Sequence, residues 1–315
     1  MNTDKTKELL QKYSIIKKFL YPVFSARRSF LQMRYNSLLK KKLPVQKELL
    51  KNIGEILIGD PVIRVDEFDG IFAVDSRSHI FAVVMMNKCY EQQLSNLCIK
   101  YLDKNKDAID VGANIGFYSV LFAKNINQKR VLSIEPTKDT LKRLRRNIDL
   151  NNVSEKVEIF EGVISNSVGT VEIKVIKGKE EYSSLGEMQN PWITNEQWSS
   201  ELVNSITLDK LVEDRSLNPG FIKIDVEGVE HLVFEGAQKV LKENRPIILS
   251  ELWDFILKKN GSSAIEVISM IRSQDYEVFD PINPSINPEK GESVDIICFP
   301  KESLALKNFV ESFKV

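Results

Sequence analysis

The segment Asp110-Val-Gly-Ala-Asn-Ile-Gly116 decides the fold of this chain. It follows the strand-like run 107–111 and precedes a helix candidate at 117–126, as a turn between a strand and a helix would. Glycines at such a turn let the backbone approach a ligand, and the helix N-terminus that follows offers unpaired N–H groups. The next strand ends in Glu135, 19 residues after Gly116, where a carboxylate can accept hydrogen bonds from a ribose diol. The pattern predicts a nucleotide-type ligand at this turn.

Short apolar runs alternate with helical patterns from residue 107 onward, which is typical of a doubly wound α/β sheet. Residues 162–220 are too many for a simple crossover, so we interpret them as an insertion at the carboxyl edge of the sheet, with an extra strand at 170–176. We expect strands at 107–111, 131–135, 157–161, 221–225, 246–250, 276–280 and 294–299, and helices at 91–102, 117–126, 138–150, 229–243 and 262–274.

Two ligand classes compete for the glycine turn. A dinucleotide needs Gly-x-Gly-x-x-Gly so that its pyrophosphate can lie against bare backbone, but Asn114 and Phe117 occupy the second and third glycine positions. S-adenosylmethionine has no phosphate, and a loop with a leading carboxylate suits its amino-acid end, sulfonium and ribose. Asp110 would order the loop and contact the amino-acid end, directly or through water. We therefore favour S-adenosylmethionine.

A second group of acids follows the strand candidate 221–225, where the sequence reads Asp225-Val-Glu-Gly-Val-Glu230. Ligands of open α/β sheets bind beyond the carboxyl ends of the strands, so we expect Asp225 and Glu227 to be functional. Nearby carboxylates raise one another's pKa unless a cation compensates, and the candidates are the sulfonium, Lys223 or a divalent metal. For Glu230 we favour a structural role, since its charge stabilises a helix N-terminus.

Glu251 ends the following strand and lies at the same edge of the predicted sheet. Asp225 with Glu251 has the oxygen ligands that magnesium or calcium prefers, and either carboxylate could instead be a general base for a substrate hydroxyl. We assign no metal ligands. For the chemistry at this edge we expect Asp225 or Glu227 to be the base or positioning group, with Glu251 as the third candidate.

The composition is that of a globular protein with unevenly distributed charge. Lys and Arg number 44, and so do Asp and Glu, but residues 1–50 hold 12 basic and 3 acidic residues, a local charge of +9. Three cysteines without a Cys-x-x-Cys pair and two histidines argue against a disulfide framework and a zinc site. No apolar run is long enough to span a bilayer, and the first 20 residues lack the features of a signal peptide, so we expect a cytoplasmic protein.

The basic arm, residues 1–60, is predicted to be helical, with lysines opposite Leu9, Tyr13, Ile16 and Leu20. Our first interpretation is that the arm is a helical cap on the catalytic domain. Our second is that it is a helix at the inner, anionic membrane surface. Self-association through the arm is a further interpretation. We expect no nucleic-acid binding, because the arm has no basic groove interleaved with aromatic residues.

Residues 61–105 are expected to form a small β unit with a lead-in helix, ahead of a donor-binding domain at 106–315. In this unit, strands at 62–68 and 71–75 flank a two-residue turn at Asp69-Gly70, and the chain turns again into 79–86.

The motifs resemble the FkbM-type methyltransferase family over residues 85–255. The resemblance implies a class I Rossmann-like methyltransferase fold, whose seven-stranded, mostly parallel sheet has an antiparallel last strand, and S-adenosylmethionine as the methyl donor. The matching stretches are Tyr90-Glu91, Asp110 to Ser119, Ile134-Glu135-Pro136, Asn147 with Asn151-Asn152, Thr207-Leu208-Asp209, Ile222 to Glu230, Glu235-Gly236-Ala237, and Arg245-Pro246 through Glu251.

The resemblance also implies O-methylation of a hydroxyl on a sugar, glycan or related natural product. We expect the acceptor to be held by the insertions at 176–204 and 281–293, where Trp192 and Trp198 could stack on a sugar face. The residues expected to hold the donor are Asp110, Gly112, Ala113, Asn114, Gly116, Glu135, Pro136, Glu161 and Gly162, the last two near the adenine.

Two other functions remain open at this point. The first is a non-catalytic binding protein on a methyltransferase-like scaffold, which binding of S-adenosylmethionine would argue against. The second is an NAD-dependent sugar-modifying enzyme, which Asn114 and Phe117 disfavour.

Overall fold

A computed structural model describes residues 59–76, 78–176, 198–291 and 293–313. The predicted helical arm lies outside the described residues, as do Trp192 and the side chain of Trp198. Within the part of the chain that is described, no helix combines the length and the apolar character needed to cross a bilayer.

A seven-stranded sheet forms the centre of the fold, in the spatial order β11-β12-β10-β9-β3-β4-β5. All neighbouring pairs are parallel except those made by β12, the last strand in the chain, which is antiparallel to both neighbours. The predicted fold class is therefore confirmed. The strands are β3 (Asp107–Val111), β4 (Val131–Glu135), β5 (Val157–Glu161), β9 (Pro219–Ile224), β10 (Ile247–Glu251), β11 (Tyr276–Phe279) and β12 (Asp295–Pro300).

Helices cover both faces of this sheet, because its central strands carry apolar residues on alternate sides. Along β3, for example, Ala108 packs in one core and Ile109 and Val111 in the other. Four of these helices, at 79–87, 208–214, 254–259 and 304–311, were not predicted. The helices are α1 (His79–Asn87), α2 (Gln92–Tyr101), α3 (Phe117–Asn125), α4 (Lys138–Leu150), α5 (Leu208–Asp214), α6 (Glu230–Glu235), α7 (Gln238–Glu243), α8 (Asp254–Lys259), α9 (Ala264–Ser273) and α10 (Leu304–Glu311).

The helix predicted at 229–243 is two helices, α6 and α7, separated at Gly236. A Cβ at this glycine would lie 2.2 Å from the carbonyl oxygen of Ser165, so the chain approaches the start of the insertion too closely for a side chain. The Asp209 carboxylate accepts hydrogen bonds from the N–H groups of Lys239 and Val240, and this caps the start of α7.

The insertion contains a three-stranded sheet in the order β6-β8-β7. Strand β7 confirms the extra strand predicted at 170–176, and it pairs antiparallel with β8. The strands are β6 (Val163–Ile164), β7 (Gly169–Ile176) and β8 (Trp198–Ile206).

The small β unit is a hairpin of β1 (Val62–Val65) and β2 (Gly70–Ala73). The predicted two-residue turn is wrong: the loop spans 66–69, and Gly70 pairs with Val65 inside the sheet. A Cβ on Gly70 would lie 2.5 Å from the Phe68 ring, so the missing side chain serves packing.

The chain does not continue as strand over 79–86 but forms α1. Ser78 starts this helix, because its side-chain oxygen accepts a hydrogen bond from the N–H of Phe81 at 3.1 Å. Buried Ile80 and Val84 then lie one helical turn apart, a spacing that a continuous apolar run obscures.

Candidate active site

The glycine turn lies at the carboxyl end of β3 and contacts the end of the neighbouring strand β9. Gly112 has a φ of +79°, and a Cβ on it would lie 1.8 Å from the carbonyl oxygen of Asp225. The Asp225 N–H in turn donates to the carbonyl of Val111 at 3.0 Å. Main-chain contacts therefore hold the predicted donor loop and the predicted catalytic acid side by side.

The rest of the turn is shaped by two further residues with positive φ. Asn114 has a φ of +50° and Gly116 a φ of +89°, and a Cβ on Gly116 would lie 2.5 Å from Cδ1 of Leu144. The turn therefore packs closely against α4 before α3 begins. Ala113, between the two glycines, is buried.

Glu135 lies at the end of β4 and is fixed against the turn. Its Oε2 accepts a hydrogen bond from the Asn114 N–H at 3.0 Å, and its Oε1 accepts from the N–H and hydroxyl of Thr137 at 3.0 and 2.6 Å. Burial raises the pKa of Glu135 to about 6, although these hydrogen bonds act in the opposite direction. The carboxylate oxygens keep accepting capacity for a ligand hydroxyl, and Pro136 beside them is half-buried.

Asp110 is 1% exposed and lies one residue inside the end of β3. Its Oδ2 accepts a hydrogen bond from the Ser119 hydroxyl at 2.6 Å, and the Ser119 hydroxyl accepts one from Ser133 at 2.7 Å. Burial raises the pKa of Asp110 to about 6. The carboxyl thus ties the end of β3 to α3 and, through Ser119, to β4.

Glu161 and Gly162 lie at the end of β5, next to Glu135 in the register of the sheet. The Glu161 side chain is 60% exposed and forms an ion pair with Arg145. Gly162 is buried where the insertion begins, and a Cβ there would lie 2.5 Å from the carbonyl oxygen of Asn204.

Three carboxylates meet beyond the ends of β9 and β10. Asp225, Glu227 and Glu251 each place an oxygen within 4.8 Å of the other two. Glu251 donates a hydrogen bond to Asp225 and accepts one from Nε1 of Trp253 at 2.5 Å. Burial and the negative charge of Asp225 raise the pKa of Glu251 well above its usual range, so this carboxyl is the protonated member of the pair.

Lys223 supplies the positive charge at this edge. Its Nζ lies 2.5 Å from Oδ2 of Asp225, and its side chain is only 7% exposed. Burial opposes ionisation of Asp225, but Lys223 and the hydrogen bond from Glu251 hold its pKa below the ordinary value. Burial likewise opposes the charge of Lys223, yet Asp225 and Glu91 raise its pKa above the ordinary value. The Lys223–Asp225 pair is therefore charged.

The Tyr90-Glu91 pair lies next to Lys223. Nζ of Lys223 is 5.0 Å from the ring centroid of Tyr118, and the hydroxyl of Tyr118 donates to Oε2 of Glu91 at 2.6 Å. Burial raises the pKa of Tyr90 well above its ordinary value, and the charges of Glu91, Asp225 and Glu251 act in the same direction. Both tyrosines are therefore neutral at this edge.

Asp295 belongs to the same edge and was not predicted. It is the first residue of β12 and pairs with Glu251, and burial raises its pKa to about 7. The prediction considered only residues at carboxyl ends of strands. Because β12 runs antiparallel, its amino end lies at that edge, and the antiparallel last strand of the expected fold could have pointed to Asp295.

Glu230 was predicted to stabilise a helix N-terminus by its charge; it is the first residue of α6, and its carboxyl bonds to the loop that precedes this helix. Its Oε1 accepts hydrogen bonds from the N–H groups of Gly228 at 3.0 Å and Val226 at 3.3 Å, which shapes the loop after β9. Burial raises the pKa of Glu230 to about 7. In this loop Glu227 has a φ of +56° and Gly228 a φ of +93°, so the chain turns sharply. The Glu227 carboxylate then lies close to those of Asp225 and Glu251.

Residues 110–278, more than half of the chain, match the family model of the methyltransferase FkbM domain. Methyltransferase sdnD of Sordaria araneosa is 24% identical over 199 residues, which are 56% of this chain and 74% of that protein. The solved structure of methyltransferase FkbM from Methylobacillus flagellatus KT is 18% identical with a TM-score of 0.39, and the match covers 62% of this chain and 44% of that one. An O-methyltransferase from Bacillus cereus in complex with SAH is 16% identical with a TM-score of 0.39, covering 66% of this chain and 79% of that one.

Proposed function

Because the chain belongs to the FkbM family of S-adenosylmethionine-dependent methyltransferases, we propose that it methylates a hydroxyl group of a sugar, glycan or related natural product. The observation that carries this proposal is the close approach of Gly112 to the main-chain carbonyl of Asp225, whose side chain forms an ion pair with Lys223. A base next to the donor is what methylation of a hydroxyl requires.

On the donor side, the proposal uses the turn from Gly112 to Gly116 and the carboxylate of Glu135. Glu135 would accept hydrogen bonds from the ribose, since Asn114 and Thr137 hold it in place. Asp110 would act mainly through the turn, because its side chain is buried and bonded to Ser119. Glu161 and Gly162 remain our candidates for the adenine side.

S-adenosylmethionine supplies a methyl group on a positively charged sulfur, which makes that carbon open to attack by oxygen. In the proposed mechanism Asp225 accepts a hydrogen bond from the acceptor hydroxyl and orients its oxygen toward the methyl carbon. As the new O–C bond forms and the S–C bond breaks with its electron pair left on sulfur, Asp225 takes the hydroxyl proton. A carboxylate with a low pKa suffices, because the proton becomes strongly acidic on an oxygen that is gaining a third bond.

Lys223 and Glu251 would keep Asp225 ready for this role. Lys223 stabilises the Asp225 carboxylate from a distance of 2.5 Å, and protonated Glu251 donates a hydrogen bond to it. The negative charge of the Asp225–Glu251 pair therefore stays on Asp225, which is next to the donor turn. Glu227, which places an oxygen within 4.8 Å of the other two acids, is our second candidate for contact with the acceptor.

The same three carboxylates have the oxygen donors that a magnesium or calcium ion prefers. Lys223 and the proton of Glu251 already compensate two of the three negative charges. No step in the proposal passes through a metal ion.

A cytoplasmic location is part of the proposal. The three cysteines are free thiols, and Cys98 and Cys298 are buried, which suits a reducing compartment. For residues 1–50 we retain the charge-based proposals of a cap on the catalytic domain, contact with an anionic membrane, or self-association. Co-sedimentation of the full chain with anionic and with neutral vesicles separates membrane contact from the other two.

The test is a methyl-transfer assay with isotopically labelled S-adenosylmethionine and a panel of glycans, sugar nucleotides and free sugars, each alongside its O-methylated form. We expect label in a product whose carbon NMR spectrum shows a methoxy group. Label on nitrogen or carbon of the acceptor would overturn the O-methylation proposal. Failure of the protein to bind S-adenosylmethionine in calorimetry would overturn the donor site itself.

A further inference from the structure

A small polar recess lies between the donor turn and the N-terminal hairpin. It is lined by the turn residues Asn114 and Ile115, by Asp75 and Ser78 after β2, and by Thr140 and Arg143 of α4. Its free volume suits roughly one water-sized group. Asp75 and Ser78 lie outside the part of the chain that matches the family model, so the recess combines family and non-family segments.

Thr140 is the unusual residue in this recess. Its side chain is buried, with 1% of the residue exposed, and its hydroxyl has no hydrogen-bond partner. Thr140 is the third residue of α4, so no complete helical turn precedes it to accept a hydrogen bond from its hydroxyl. Because a buried hydroxyl without a partner costs free energy, the position would be better filled by valine if Thr140 served packing alone.

Hydrogen bonds and ion pairs join the segments that line the recess. Nδ2 of Asn147 donates to the carbonyls of Ala73 and Ile115 at 3.1 and 2.8 Å, which joins the hairpin to the donor turn. Arg143 forms ion pairs with Asp60 at 3.0 Å and with Asp75 at 3.2 Å. Side chains of α4 therefore connect the hairpin and the donor turn on either side of the recess.

We propose that the hydroxyl of Thr140 donates a hydrogen bond to the ribose of S-adenosylmethionine. This inference rests on the proposed donor site, in which Glu135 accepts from the ribose. Asn114 lines the recess and donates its N–H to Glu135, so the recess adjoins the ribose acid. An ionised carboxylate can only accept hydrogen bonds, whereas each ribose hydroxyl also has an oxygen that accepts one. Thr140 supplies the donor that Glu135 lacks.

Calorimetry with the full-length protein tests this proposal, using S-adenosylhomocysteine and 5′-methylthioadenosine as ligands. The second ligand has the ribose but no amino-acid end. We expect Thr140→Val to weaken binding of both ligands by about tenfold, the value of one hydrogen bond, and Thr140→Ser to bind nearly as well as the wild type. Thermal unfolding of ligand-free Thr140→Val should occur at the wild-type temperature or above it.

Tyr101→Phe is the matched control, because it removes another buried hydroxyl without a partner, one packed against Phe299 and Phe309. Its ligand affinities should equal those of the wild type. If wild-type protein binds both ligands and Thr140→Val binds them equally well, the Thr140 contact is wrong and the donor site stands. If Thr140→Val weakens only S-adenosylhomocysteine, the contact is to the amino-acid end and the ribose assignment is overturned. If the wild type binds neither ligand, the donor site fails together with this inference.

Discussion

Glu251 donates a hydrogen bond to Asp225 across two neighbouring parallel strands, so two acids at one sheet edge hold a single proton. Lys223, 2.5 Å from Asp225, fixes the negative charge on that residue. The arrangement gives one carboxylate that is ionised and one that is neutral, and it makes the roles of the two acids separable by mutation.

Asp225→Asn should retain the affinity for S-adenosylhomocysteine and lose turnover by about a hundredfold to ten-thousandfold, the usual contribution of a general base. The amide cannot take the proton of the acceptor hydroxyl. Calorimetry and the methyl-transfer assay measure the two quantities separately. Glu227→Gln is the comparison: if it loses more turnover than Asp225→Asn, the base is Glu227, and near-normal turnover of Asp225→Asn rejects Asp225.

Glu135→Gln should weaken binding of S-adenosylhomocysteine by about tenfold to a hundredfold, because it removes a charged acceptor from the proposed ribose contact. Asp110→Asn should weaken it less, since Asp110 acts through the turn. Glu172→Gln, on the exposed side of β7, serves as the control and should leave the affinity unchanged. Wild-type affinity in Glu135→Gln would show that the ribose lies elsewhere.

The stability of the protein should fall as the pH rises toward 8, in part because of Glu230. Its pKa is raised from 4.5 to about 7, so the folded state holds the proton more tightly than the unfolded chain. This contribution is complete below the unfolded pKa and is lost as the pH passes through the folded value. Glu230→Gln should reduce the loss of stability between pH 5 and pH 8 by about 2 to 3 kcal/mol, measured by urea unfolding at these two pH values. Parallel losses in variant and wild type would contradict the assignment.

Asn147→Ala should lower the free energy of unfolding by about 3 kcal/mol, because it leaves buried backbone groups of Ala73 and Ile115 without partners. It should also weaken donor binding, since Ile115 belongs to the turn. Asn151→Ala removes similar bonds to Ile71 but none to the turn, so it should destabilise the protein and leave donor affinity unchanged. Equal effects of the two variants on affinity would argue against coupling through Asn147.

Chelation of divalent metals should leave methyl transfer unchanged, because Lys223 and the Glu251 proton compensate two of the three carboxylate charges and no proposed step passes through a metal ion. The measurement is turnover after dialysis against EDTA, with and without added magnesium. Loss of activity that magnesium restores would identify the carboxylate group as a metal site.

The sequence predicted the main sheet well, because its strands are short apolar runs bounded by helices with clear periodicity. It failed where local pattern and tertiary context differ. The segment 79–86 has enough apolar residues for either a strand or a helix, and the cap at Ser78 decides for the helix. Gly70 looks like a turn residue but is needed for packing of Phe68.

The sequence predicted the site residues that can be recognised from one strand and the turn after it, but not those that depend on how the strands are assembled. Asp225, Glu227 and Glu251 end or follow parallel strands, and the structure brings them together. The bond from Glu135 to Asn114 joins two loops, and the place of Asp295 depends on strand direction, so both need the assembled sheet. Thr140 carries no signal in the sequence, since its distinguishing property is an unused hydroxyl.

The missing side chain at Gly112 has a consequence for how the enzyme could be re-engineered. With only main chain between the donor turn and Asp225, the spacing of donor and base is set by peptide geometry and leaves no room even for a methyl group. Under the proposed roles, changes of acceptor preference must then come from other segments, while the reacting groups keep their separation. A library that varies those segments and leaves positions 112 and 225 untouched would explore new acceptors at constant chemistry.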